Sequence, residues 1–147
     1  MSTLVPFETT IEVRDRCLCL HAQRAARALA RHFDEALRPV GLTNGQFSLL
    51  MSLNRPQPPA MGPVAKLLAM DRTTLTAALK PLERQGLVTI GVDPEDRRSR
   101  LLIMTDHGRQ ALASAVPIWR ETHAVIEAGL PALLNADDLR AALQALA

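Results

Sequence analysis

The 147-residue sequence predicts a mainly α-helical fold with a small β wing: a winged helix-turn-helix that dimerises through its N- and C-terminal helices. Three observations predict it. Two short helical patterns flank a turn at residues 69–71. A hairpin pattern follows, tipped with Asp93-Pro94-Glu95-Asp96-Arg97-Arg98-Ser99-Arg100. Longer helical patterns at both ends, residues 12–38 and 106–147, enclose this 43–105 lobe within a single domain spanning 1–147.

The first short helix opens at Gly62-Pro63 and runs through Val64, Ala65, Leu67 and Leu68, with Pro63 where a missing N–H costs little. Ala69-Met70-Asp71 makes the turn. Asp71 is placed to cap a second helix starting at Arg72, because its carboxylate accepts orphan backbone N–H groups and complements the helix dipole. On that helix Leu75, Ala78, Leu79 and Leu82 share one arc, and Thr73, Thr76, Ala77, Lys80 and Arg84 share the opposite one. Hydroxyl, ammonium and guanidinium groups on the outer face of such a helix hydrogen-bond phosphates and base edges in a major groove. Arg72, Thr73, Thr74, Thr76, Lys80 and Arg84 are therefore candidate DNA contacts. A merely solvated amphipathic helix would have the same polar face. Pro81 removes the hydrogen bond to the Ala77 carbonyl. Leu82 continues the apolar stripe, so a bent single helix is expected in preference to one ending at Lys80.

The next segment favours the DNA reading. Gly86 supplies a left-handed helix end, Leu87-Val88-Thr89-Ile90 reads as a strand, and Leu101-Leu102-Ile103-Met104 reads as its partner. Arg97, Arg98 and Arg100 are concentrated at the tip between them. A wing placed beside a helix-turn-helix lays such guanidinium groups along phosphates or into a narrow minor groove.

At the N-terminus, residues 1–10 lack periodicity and are expected to form a loose arm. Over residues 12–38 a wide apolar arc includes Leu18, Cys19, Ala22, Ala25, Ala26, Leu29, Ala30, Phe33, Ala36 and Leu37, with Arg24, Arg27, Arg31 and Arg38 opposite. So wide an arc, built largely of alanine, suits packing on more than one partner, as in a dimer, although an intramolecular bundle would also use it. Thr43 and Gln46 form a capping box for a helix through Leu53, and Arg55-Pro56-Gln57-Pro58-Pro59 is a stiff loop. Thr105 caps a long helix to about Leu130, interrupted at Pro117 near Trp119. Asn135 caps the last helix, with Asp137 and Asp138 in its favourable first turn.

The net charge of +2 is too small to announce a nucleic-acid partner, but its distribution is informative. Residues 55–109 hold nine basic against six acidic residues, which places the positive excess on the helix-turn-helix and wing. No apolar run is long enough to span a bilayer, and the N-terminus lacks the basic and apolar regions of a signal peptide, so a cytoplasmic protein with no membrane partner is expected. No nucleophile–base–acid set, glycine-rich phosphate loop or paired carboxylates stands out. Neither an enzyme nor a cofactor is expected.

The runs "DRTTLTAALKPLERQGLV" and "DPEDRRSRLLIMTDHGRQAL" resemble the MarR family of bacterial winged-helix transcriptional regulators, and the similarity covers nearly the whole chain. The wing signature Asp96-x-Arg98, followed by Met104-Thr105-x-x-Gly108, is the part of the resemblance specific to that family among winged helices. It implies a homodimer bound to double-stranded, palindromic DNA, released by a small molecule or an oxidant, with the first and last two helices knitting the dimer and Arg98 entering the minor groove. The sequence departs from the family pattern at Ala77, where many relatives carry arginine. It departs again at Thr89, Ile90 and Val92, in a wing strand that is often basic.

Cys17 and Cys19 lie two apart on the expected first helix and would point about 200° from each other, which forbids a disulfide between them while that helix is intact. Cys19 falls in the apolar arc as a small core residue. "LCLHAQRAAR" also resembles the start of the organic-hydroperoxide-sensing branch of the family, where Cys19 matches the reactive cysteine. That branch holds its thiolate with tyrosine hydroxyls, and this sequence has no tyrosine. Cys17 and His21, four apart, would lower the thiol pKa or share a metal, but two ligands do not make a metal site. Trp119 reads as core or as a wall of an effector pocket, and Arg24 and Arg31 as partners for a ligand carboxylate.

These readings converge on a repressor released by a small aromatic or apolar acid. The alternatives are a peroxide sensor acting through Cys19 and a winged-helix protein-interaction module without DNA binding.

Overall fold

The computed structural model describes residues 4–147, which divide into two units, 4–32 and 33–147. The first holds helix α1 (Phe7–Arg16) and most of α2 (Leu18–Leu37). The second continues through a 3-10 turn (Arg38–Val40), α3 (Asn44–Leu53), α4 (Met61–Leu67), α5 (Arg72–Arg84), strands β1 (Val88–Val92) and β2 (Arg100–Met104), α6 (Asp106–Ala128) and α7 (Ala136–Leu146).

The first unit corrects the sequence reading twice. Part of the expected loose arm, from Phe7 onward, is helical; residues 1–3 lie outside the described residues. The expected continuous helix over 12–38 is broken at Cys17, whose backbone is extended (φ −70°, ψ 109°). Neither glycine nor proline marks the break. Cys17 instead takes the capping role usually filled by serine or aspartate: the Leu20 N–H donates to its Sγ at 3.4 Å, and the His21 N–H to its carbonyl at 3.1 Å. The argument that an intact helix holds the two thiols apart therefore does not apply. Cys19 is exposed rather than a core residue, and in the wide arc of α2 only Leu37 is buried.

In the second unit the core is leucine-rich. Leu37, Leu49, Leu50, Leu75, Leu79, Leu82, Leu102, Val64 and Val88 are fully enclosed. Each such side chain contributes about 1.5–3 kcal/mol relative to its exposed state. Thr43 and Gln46 form the reciprocal capping box of α3. The Asp34 carboxylate accepts the backbone and side-chain N–H groups of Asn44 at 2.7 and 2.8 Å, and these bonds, the backbone one foremost, hold its pKa below the usual value. The helices of the helix-turn-helix join through a Schellman ending. Met70 N–H reaches Ala65 O and Ala69 N–H reaches Lys66 O, with Ala69 left-handed at φ 52°. An alanine there stores about 1 kcal/mol of strain. Gly86 ends α5 by the same motif without that strain (φ 71°).

Helix α5 runs unbroken through Pro81, so the alternative end at Lys80 does not occur. α6 likewise passes through Pro117, correcting the expected interruption. Pro117 and Ala113, whose carbonyl loses its donor, are both exposed, so water can take the vacant acceptor. β1 and β2 pair antiparallel from Val88↔Met104 to Val92↔Arg100, and the stiff proline loop adds a short bridge, Ala60↔Leu101. Among the described residues no helix is long and apolar enough to cross a membrane.

Candidate nucleic-acid interface

Helix α5 is fixed from behind by Leu75, Leu79 and Leu82, all fully buried, which turns Thr73, Thr76, Ala77, Lys80 and Arg84 outward. Its N-terminus is set by Asp71, whose carboxylate accepts the Thr74 N–H at 2.7 Å. That bond holds the Asp71 carboxyl below its ordinary pKa, so the cap is ionised and complements the helix dipole. Two candidate contacts change character. The Thr76 hydroxyl donates to the Arg72 carbonyl at 2.8 Å, so its proton is not free for a base or phosphate. Thr74 lends its backbone N–H to the cap.

The wing tip is built by its own acids. Asp96 Oδ1 accepts the Arg98 N–H at 3.0 Å, Asp93 Oδ1 accepts the Glu95 N–H at 2.9 Å, and Ser99 N–H closes onto Asp96 O at 2.9 Å. The Asp96-x-Arg98 spacing thus has a physical meaning: the aspartate pins the backbone of the arginine that projects from the tip. Arg100 is spent otherwise, its guanidinium donating to the carbonyls of Arg97 and Ser99.

The ion pairs of the described residues spare this surface. Arg14, Arg16, Arg38, Arg109 and Arg140 all have carboxylate partners, whereas Arg72, Lys80, Arg84, Arg97 and Arg98 have none and are exposed. Lys66, Arg24, Arg27, Arg31 and Arg120 are likewise exposed without a carboxylate partner. On α5 and the wing, however, such cations lie on the elements of the helix-turn-helix and hairpin, where they are available to a polyanion whose released counterions favour the complex.

Of the proposed ligand residues, Arg24 and Arg31 belong to the first unit and Trp119 to the second. Arg24 and Arg31 line a cationic furrow along one face of α2 with His21 and Arg27. Trp119 belongs to an open groove of about 480 Å³ between α3, α4 and α6, lined also by Phe47, Ser48, Met51, Leu67 and Arg120. There Trp119 stacks between Phe47 (centroids 6.2 Å apart) and His123 (4.9 Å). Arg120, which the sequence reading passed over, is the guanidinium that shares a groove with the tryptophan. The i, i+1 spacing alone does not reveal this, because neighbours on a helix point 100° apart. Cys19 Sγ accepts from Gln23 Nε2 at 3.3 Å, and Cys17 is half-buried. His21 turns its Nδ1 to the Cys17 carbonyl at 2.7 Å rather than to the thiol. Among the described residues no cluster of His, Cys, Asp and Glu is arranged to hold a metal.

Comparison with known proteins places this geometry in context. Residues 42–99 match the family model described as MarR family. The transcriptional activatory protein BadR of Rhodopseudomonas palustris is 33% identical over 105 residues, covering 69% of this chain and 59% of that protein. The organic hydroperoxide resistance transcriptional regulator of Bacillus subtilis is 30% identical over 101 residues, 69% of each chain. Among solved structures, the M. tuberculosis transcriptional regulator MosR in complex with DNA superposes with a TM-score of 0.81 at 37% identity, covering 89% of this chain and 93% of that one.

Proposed function

The chain belongs to the MarR family of transcriptional regulators, and from that premise we propose that it is a homodimeric repressor of a pseudo-palindromic operator, acting in the cytoplasm and released by a small aromatic or apolar acid. The observation that carries the reading is the set of unpaired, exposed cations on α5 and on a wing tip whose backbone is fixed. Residues 43–105 form the DNA-binding lobe, and Arg72, Thr73, Thr74, Thr76, Lys80, Arg84, Arg97, Arg98 and Arg100 its contacting or wing-shaping set. Repression needs only occupancy of a site that polymerase must use, so DNA binding is sufficient for it without a further contact. BadR, by its name an activator, marks the other sign.

Dimerisation through residues 12–38 and 106–147 is supported by apolar side chains that one chain leaves bare: Leu18 is 70% exposed, Val125 69% and Leu146 66%. Light scattering at micromolar concentration is expected to give twice the 16.0 kDa chain mass. A single-chain mass would sink the dimer.

For the effector, the Trp119 groove supplies an aromatic wall and the Arg120 guanidinium, a pairing that suits an aromatic carboxylate. A few kcal/mol of preference for a non-binding arrangement empties an operator. Peroxide sensing is favoured instead by the exposure of Cys19, whose sulfur is open to an oxidant. One set of measurements decides. Genomic fragments are selected on the protein, their binding is followed against salt, and the complex is then treated with benzoate-type acids or with cumene hydroperoxide. Salt-dependent binding, release by an acid and quenching of Trp119, the only tryptophan, are expected, with Arg120→Gln weakening the last two. Oxidant release that vanishes in Cys19→Ser would establish the redox reading. Failure to recover DNA would leave a protein-interaction module.

A further inference from the structure

Between Arg72 and Lys80 the outer arc of α5 consists of Thr73, Thr76 and Ala77, with Thr74 exposed at its edge. Residues three and four apart on a helix are neighbours, so Thr73 lies against both of the others, one turn back. None of the three is a guanidinium, ammonium or carboxamide, the groups that grip guanine or adenine edges in two-point fashion. Thr76 has less polarity to offer than its name suggests. Its hydroxyl proton is committed to the Arg72 carbonyl at 2.8 Å, so it retains for a partner its γ-methyl and an acceptor lone pair, but no donor. Beside it Ala77 presents only a β-methyl. The middle of the reading face is thus rich in methyl groups, with the Thr73 hydroxyl beside them, and is flanked by cations at Arg72, Lys80 and Arg84.

In the major groove one base carries a matching group, the C5 methyl of thymine. A guanine acceptor pressed against Thr76 and Ala77 would lose water without gaining a donor, because the Thr76 proton is already given to the Arg72 carbonyl, which disfavours guanine at these positions. We propose that Thr76 and Ala77, supported by Thr73, select thymines in each operator half-site by apolar contact with their C5 methyl groups. The cations around them supply affinity without that choice. This inference rests on the DNA-binding reading above and adds the chemistry by which the sequence is read.

The test replaces each thymine of a selected operator by deoxyuridine, which pairs identically and lacks only the methyl. Affinity is measured by fluorescence anisotropy at fixed salt. At one or two positions per half-site the loss is expected to be about fourfold per methyl removed. Thr76→Ser keeps the hydroxyl and its bond to the Arg72 carbonyl while deleting the γ-methyl. It is expected to bind the thymine operator about fourfold more weakly and to lose the thymine–deoxyuridine difference at its position, with an unchanged melting temperature. Deoxyuridine tolerated everywhere, or full discrimination kept by Thr76→Ser, overturns the proposal while leaving DNA binding standing. A selection that returns no DNA overturns both.

Discussion

Gly108→Ala is expected to destabilise the fold by about 3 kcal/mol, the upper end for overpacking a well-packed site, and to lower the melting temperature by roughly 10 °C. A Cβ on Gly108 would stand 2.2 Å from the Leu87 carbonyl oxygen and 2.8 Å from Met104 Cγ. The methionine can swing away, but the carbonyl cannot. Leu87 O accepts the Thr105 N–H at 3.0 Å, and Leu87 N–H is held by Leu82 O at 2.9 Å. Moving α6 instead would break its cap, because the Gly108 N–H donates to Thr105 Oγ1 at 3.0 Å and that hydroxyl donates to Gly86 O at 2.6 Å. The end of α5, the base of the wing and the start of α6 are therefore tied at one point. Thermal melts followed by circular dichroism test this, with Gly62→Ala as control, since nothing lies within 4 Å of a Cβ there. A wild-type melt for Gly108→Ala would show that the close approach is not enforced.

That contact also shows what the sequence could and could not convey. Thr43 with Gln46, Asp71, Thr105 and Asn135 were all legible as caps, because each acts on N–H groups no more than three residues away. The hairpin was legible from its alternation and its polar tip. Met104-Thr105-x-x-Gly108 stood out as a signature, yet its physical reason involves Leu87 and Gly86, about twenty residues upstream, and no local pattern encodes that approach. Cys17 illustrates the opposite failure. A thiol is a weak acceptor and does not read as a cap, so the α1–α2 break passed unseen. At the interface, periodicity placed the cations on one face, but whether Glu83, Asp93 or Glu95 neutralises them depends on side-chain direction. Those carboxylates take no cation among the described residues.

Arg98→Ala is expected to weaken operator binding by about 1–3 kcal/mol, five- to 150-fold, with little change in folding. Three features single out this arginine within the wing. Its side chain is exposed and has no carboxylate partner, so no competing ion pair must be broken to engage DNA. Its backbone N–H is tied to Asp96 Oδ1, so less conformational freedom is lost on binding. Its neighbour Arg100 has turned its guanidinium back onto the carbonyls of Arg97 and Ser99, and so shapes the tip rather than reaching from it. A guanidinium in a narrow minor groove meets the strongest negative potential of the duplex, which is why one side chain accounts for so large a share. Anisotropy titrations of wild type and Arg98→Ala on the same operator, paired with circular dichroism of each, give the result. Equal affinities with equal spectra would mean that the wing does not touch DNA, and the interface would then have to be carried by α5 alone.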